Sequence, residues 1–157
     1  MKMIMRWFPH GDDTVTLEQI RQVPGVSGVA VMLPHIPVGE VWSPEEINSV
    51  KTEINNAGLE MEVIESVNIH EDIKQGLSTR DMYIEKHIET MKNLSDAGVK
   101  CICYNFMPVM DWYRSELYLP LEDGSNAMAY NAKIASGLTA EKMTKAMMEG
   151  SNNLSLP

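Results

Sequence analysis

The sequence has few of the features that announce a chemistry or a location. Only two of its 157 residues are cysteines, Cys101 and Cys103. Residues two apart on a strand project from one face, and a disulfide between them has poor geometry. No further Cys or His stands at a zinc spacing, so the pair reads as buried, reduced side chains. Basic residues are scarce as well: 13 Lys and Arg stand against 22 Asp and Glu, for a formal net charge of −9. Without a basic face the chain has little to offer nucleic acid or an anionic membrane surface. No apolar run approaches the roughly 20 residues of a membrane span. The opening MKMIMRWFPHGDD has too short an apolar core for a signal peptide, which places the chain in the cytoplasm. A P-loop, a dinucleotide fingerprint, a nucleophile elbow and a His-Glu-x-x-His pattern are all missing.

What is there is an alternation of apolar runs and capped helical stripes. A hydrophobic fraction of 44% with 22% charged residues is ordinary globular composition. The length fits one domain, burying roughly 70% of the surface of the unfolded chain. Met3–Trp7 reads as a first strand. Thr16-Leu-Glu-Gln19 fits a capping box for a short helix to Val23, and Gly28–Leu33 reads as a second strand. Ser43 then caps a helix with Pro44 at its first position and an apolar stripe of Ile47, Val50 and Ile54. Gly58 supplies its left-handed stop, and Leu59–Ser66 follows as a third strand. A longer helix starts near Ser78, with a stripe of Tyr83, His87, Met91 and Leu94 flanked by Ile84 and Ile88. Gly98 closes it before a fourth strand, Lys100–Phe106.

Three junctions share one grammar: a helix, then Gly25-Val26, Gly58-Leu59 or Gly98-Val99, then a strand. Their spacing, about 33 and about 40 residues, suits a repeated βα unit. Four strands separated by three helices imply a parallel sheet with right-handed crossovers. After Arg114 the pattern changes: two apolar-bearing arms between Leu117 and Tyr130 flank Asp123-Gly124, a hairpin signal. Thr139–Glu149 reads as a last helix.

Parallel α/β sheets bind ligands beyond the carboxyl ends of their strands. The candidate residues are therefore those following each apolar run. They are Trp7 after the first strand, Glu65 and His70 after the third, and Asn105, Asp111, Trp112 and Arg114 after the fourth. A carboxylate ending an apolar strand must find a cation, a metal or water. Arg114 can clamp a carboxylate, and Trp112 offers an apolar wall to a sugar-like ligand. His35 and His10 are weaker candidates, and His87 belongs to a helix stripe.

The runs CYNFMPVMDWYRSEL, MKMIMRWF, IPVGEVWSPEEI and VIESVNIHEDIKQGLSTRDMYIE closely resemble mannonate dehydratases, in the family's order and over most of positions 1 to 130. The resemblance implies an α/β fold, a partial TIM barrel of the xylose-isomerase-like type. It would hold four parallel βα units with a β-hairpin inserted after the fourth strand. Residues 1–157 would then be the N-terminal part of a single barrel domain whose C-terminal half is absent. The implied activity is that of a hydro-lyase of hexuronate (glucuronate) catabolism, turning D-mannonate into 2-keto-3-deoxy-D-gluconate with Mn2+ or Fe2+. The family's metal ligands and acid/base groups come from its second half, so no metal ligand is assigned in this chain. Cys101 and Cys103 do not match the family's ligand cysteine, and the chain by itself is expected to be inactive. The implied partner is a small sugar acid, and a homo-oligomer is compatible with that. A related metal-dependent sugar isomerase or epimerase of the same barrel class, and a non-catalytic sugar-acid binding module, are the alternatives.

Overall fold

The computed structural model describes residues 1–9, 14–106 and 114–137, with 139, 141 and 145. They fall into two units, Met1–Phe106 and Met107–Pro157. The first is a βα repeat. Strand β1 (Met3–Arg6) leads to helix α1 (Leu17–Arg21), strand β2 (Val26–Val31), helix α2 (Pro44–Asn56) and strand β3 (Glu60–Ile64). A short helix α3 (Glu71–Gln75) and the longer α4 (Arg80–Asp96) follow. The sheet has the order β1-β2-β3, and both pairings are parallel.

Local chemistry sets the helix boundaries. Thr16 and Gln19 form the reciprocal capping box that starts α1. The Ser43 hydroxyl accepts the Glu46 amide at the start of α2, with Pro44 in the first turn. Gly58, at φ 75°, turns the chain out of α2 toward β3. One side of the sheet meets the helices. Val29 pairs with Met61 and Val31 with Ile64, and these residues pack with Ile20, Ile47, Ile54 and Leu94 in one core cluster. The pairing of β2 with β3 skips Glu62, so Ala30 lies beside Val63. On the other neighbour Ala30 lies beside Arg6. Since successive strand residues alternate faces, Arg6, Ala30, Val63 and Glu65 share the side turned away from the helices.

Three expectations need correction. Segment 100–106 does lie alongside β3 in parallel, but as a single bridge between Ile64 and Ile102 rather than a full strand. The Ile64 amide donates to the Cys101 carbonyl at 3.0 Å, and the Cys103 amide donates to Ile64 at 2.8 Å. Both cysteines are exposed rather than buried. Ile102 packs on the core, which turns Cys101 and Cys103 to the side without helices. Ile84 and Ile88 are also exposed; Thr90 and Leu94 are the buried residues of α4.

The second unit contains the anticipated hairpin. Strands β4 (Glu116–Pro120) and β5 (Asn126–Ala129) pair antiparallel. In the turn, Asp123 accepts from the Ser125 amide and hydroxyl at 2.9 and 2.7 Å. Those two donors hold the Asp123 carboxyl below its usual pKa. A one-turn helix α5 (Ala132–Ala135) follows, capped by Asn131. The helix expected over 139–149 falls largely outside the described residues.

Candidate functional site

Because the strands are parallel, the residues after β1 and β3 and after the bridge at Ile102 leave the sheet at one end. Trp7 follows β1, and its amide donates to the Ala30 carbonyl at 2.9 Å. Its indole is 6% exposed and belongs to the core cluster, so it backs this end of the sheet from inside. Glu65, half-buried, follows β3 and donates its amide to Val31 at 2.8 Å.

The next residue makes the junction. Ser66 is 4% exposed. Its Oγ donates to Asn68 Oδ1 at 2.9 Å and accepts from Asn105 Nδ2 at 3.4 Å. A buried hydroxyl with both its donor and acceptor roles filled fixes the amides at its two sides. Asn105 is thereby tied to the end of β3 across the bridge. The sequence marked Asn105 but gave Ser66 no role of its own. A polar residue directly after an apolar strand is the available signal, and it does not separate a buried hydroxyl from a wet one.

His70 is the N-cap of α3 and stands beneath the first turn of α4. Its Nδ1 accepts the Asp72 amide at 3.1 Å, so the neutral ring carries its proton on Nε2. The Asp72 carboxylate, 3.6 Å from Nδ1, is too distant for a hydrogen bond and receives the Thr79 hydroxyl instead. The imidazole stacks on Tyr83 with ring centroids 3.6 Å apart and planes 10° apart. Gly39, at φ 87°, fits against the edges of both rings. A Cβ there would lie 2.7 Å from Tyr83 Cε1 and 2.8 Å from His70 Cδ2. The loop after β2 is held to α4 at three further points. Lys86 bonds both oxygens of Glu40 at 3.0 Å. The Trp42 amide donates to Thr90 Oγ1 at 3.1 Å, and Asn93 donates to the Trp42 carbonyl at 2.8 Å. Gly39, His70, Tyr83, His87 and Thr90 line a small cavity beneath this arrangement. Burial there lowers the pKa of His87.

Glu65, Ser66, His70 and Asn105 thus leave one end of the sheet, with Trp7 behind them. His35 is engaged with Glu46, at 3.2 Å from its carboxylate. Arg114 belongs to the second unit, where it is half-buried just ahead of β4. Asp111, Trp112 and His10 lie outside the described residues. Among the described residues no three His, Cys, Asp or Glu side chains converge as a metal site requires, so these residues do not fit a Mn2+ or Fe2+ centre. No helix of the described residues is long and apolar enough to cross a membrane.

A parallel α/β sheet with hydrogen-bonding groups gathered at the carboxyl end of its strands is the class that binds small polar ligands there. The sequence profile of D-mannonate dehydratase (UxuA) matches residues 1–157. The chain is 55% identical over 157 residues to a mannonate dehydratase of Thermotoga petrophila, covering 100% of this chain and 44% of that one. Mannonate dehydratase 1 of Bacillus licheniformis is 58% identical over 135 residues, 85% of this chain and 37% of that one. The crystal structure of mannonate dehydratase from Streptococcus suis serotype 2 superposes with a TM-score of 0.84 at 44% identity, covering 96% of this chain and 43% of that one. The chain belongs to the D-mannonate dehydratase family. It spans less than half the length of the relatives it matches.

Proposed function

We propose that this chain forms the substrate-facing N-terminal portion, four βα units, of a xylose-isomerase-like barrel that dehydrates D-mannonate to 2-keto-3-deoxy-D-gluconate. The reaction removes the proton on the carbon beside the carboxylate and expels the hydroxyl of the next carbon. That proton is very weakly acidic, so the step needs a base, an acid for the leaving hydroxyl and a positive charge on the developing enediolate. In the family a Mn2+ or Fe2+ ion supplies that charge. The described residues offer no donor set for it, and their contribution is binding and orientation. Glu65, His70 and Asn105 carry the polar contacts to the hydroxyls of the sugar acid, and Trp7 keeps the end of β1 rigid behind them. Asp111, Trp112 and Arg114 remain candidates from the sequence alone for contacts to the same ligand.

The observation that carries the reading is the parallel register itself, with the Ser66–Asn105 bond across it. It brings residues 39 apart in sequence to one sheet end, where this fold class places substrate. The test is a pair of measurements on the purified 157-residue chain. With D-mannonate and manganese it gives no turnover above a no-protein control. D-mannonate nevertheless shifts the amide resonances of residues 65–70 and 105. Turnover by the chain alone overturns the division of labour, and unshifted amides at saturating mannonate overturn the substrate assignment.

A further inference from the structure

Cys101 and Cys103 are a pair of reactive groups that the sugar-acid reading does not use, and the first unit fixes how they stand. Ile64 holds their segment at two points. Its amide donates to the Cys101 carbonyl at 3.0 Å, and its carbonyl accepts the Cys103 amide at 2.8 Å. One residue bonded to both ends of a three-residue stretch is the parallel-strand pattern, and it requires that stretch to be extended. Ile102, between the two, packs on the core. The two cysteine side chains therefore leave together on the opposite side, and both are exposed free cysteines.

Extended residues two apart stand about 6.6 Å from one another. A disulfide needs β-carbons about 3.8 Å apart and sulfurs about 2.05 Å apart. The backbone would have to buckle, and lose its bonds to Ile64, before this pair could oxidise. Leaning toward each other, the sulfurs come within about 3–4 Å. That is too long for an S–S bond, and it is the span of one larger atom bonded to both. Two thiols by themselves do not complete a tetrahedral zinc site, and among the described residues no third His, Cys, Asp or Glu joins a metal-binding group. The matching ligand is a soft, thiophilic centre that takes two sulfurs and brings its remaining substituent with it.

We infer that Cys101 and Cys103 form a dithiol clamp for a monosubstituted trivalent arsenical, a compound of the type R–As=O. Two As–S bonds form, while the two S–H bonds and the As=O bond break. The oxygen leaves as water with both thiol protons. Arsenic stays trivalent throughout, so the step needs neither an oxidant nor a reductant. Once one sulfur is bonded, the second closes the ring within the same chain, at an effective concentration on the order of millimolar or above. A lone thiol has no such second bond to hold the adduct. The clamp is independent of the sugar-acid reading and stands or falls without it.

The test treats the native 157-residue chain with phenylarsine oxide and reads intact mass, free thiol and the amide spectrum. One arsenical binds per chain, and both thiols disappear together from titration with a chromogenic disulfide reagent. The amide spectrum stays native, with shifts confined to residues 100–104 and their neighbours 63–65. The adduct survives excess 2-mercaptoethanol and is released by a dithiol such as ethanedithiol. Cys101→Ser and Cys103→Ser, conservative changes at exposed sites, each lose the arsenical to 2-mercaptoethanol at a concentration about a hundredfold lower or less. Several results overturn the clamp. They are no adduct, two arsenicals per chain, one arsenical with a thiol still titratable, and equal release by monothiol from the unsubstituted chain and the single variants. Collapse of the native amide spectrum on binding also overturns it, since the pair would then meet the arsenic only in unfolded chain.

Discussion

A β-carbon added at position 28 would lie 2.5 Å from the Glu60 carbonyl oxygen and 2.7 Å from Glu62 Cγ. The first neighbour is backbone of the paired strand β3 and cannot turn aside. Gly28→Ala is therefore expected to destabilise the chain by about 2 kcal/mol, read as a lower urea midpoint at unchanged slope. Thr90 is 1% exposed and accepts the Trp42 amide. Thr90→Val keeps the shape and strands a buried N–H, at a cost of about 1–3 kcal/mol. His87 gives a pH dependence. Burial lowers its folded pKa below 6.5, so as pH falls through that value the unfolded chain takes up a proton that the folded ring resists. Stability drops with acidification there and levels off below the folded pKa. His87→Gln is expected to flatten that part of the curve, measured by urea midpoints from neutral pH down to about 5. None of these effects is legible in the sequence. Gly28 reads as an ordinary strand glycine, and the partner of Thr90 stands 48 positions away.

Among the elements, those written in local code were the readable ones. The Thr16–Gln19 box, the Ser43-Pro44 start and the stripe Ile47, Val50, Ile54 each reappear in the structure. Each depends on residues within a few positions of one another. Ser43→Ala is expected to cost about 1 kcal/mol, and Ile54→Ala, at a fully buried site, about 2–5 kcal/mol. Thermal or urea unfolding checks both. Helix α3 has no such local code: its start rests on a histidine cap and its end on Gly76 at φ 69°, and five residues carry no apolar stripe. Segment 100–106 fared differently. Its apolar run is visible, but a strand needs a continuous ladder with a neighbour, and the pairing found here is one bridge to β3. Of the candidate site, the residues at strand ends were legible from position alone. The Ser66 hub and the Gly39–Tyr83–His70 packing were not, because they depend on how separate repeats meet.

At the scale of the whole molecule, segment 101–106 leaves large and reactive side chains exposed. Tyr104 and Phe106 are 65% and 48% exposed, and Cys101 and Cys103 are exposed beside them. Both thiols are expected to react with a chromogenic disulfide reagent in the native chain, without denaturant and at comparable rates. One fast and one protected thiol would contradict the placement of that segment. The ties between the β2–α2 loop and α4 carry a consequence for how the chain comes into being. Residues 39–42 find their partners at positions 83, 86, 90 and 93. During synthesis that loop waits for more than forty later residues to leave the ribosome before it can settle, so this piece of the rim matures back to front.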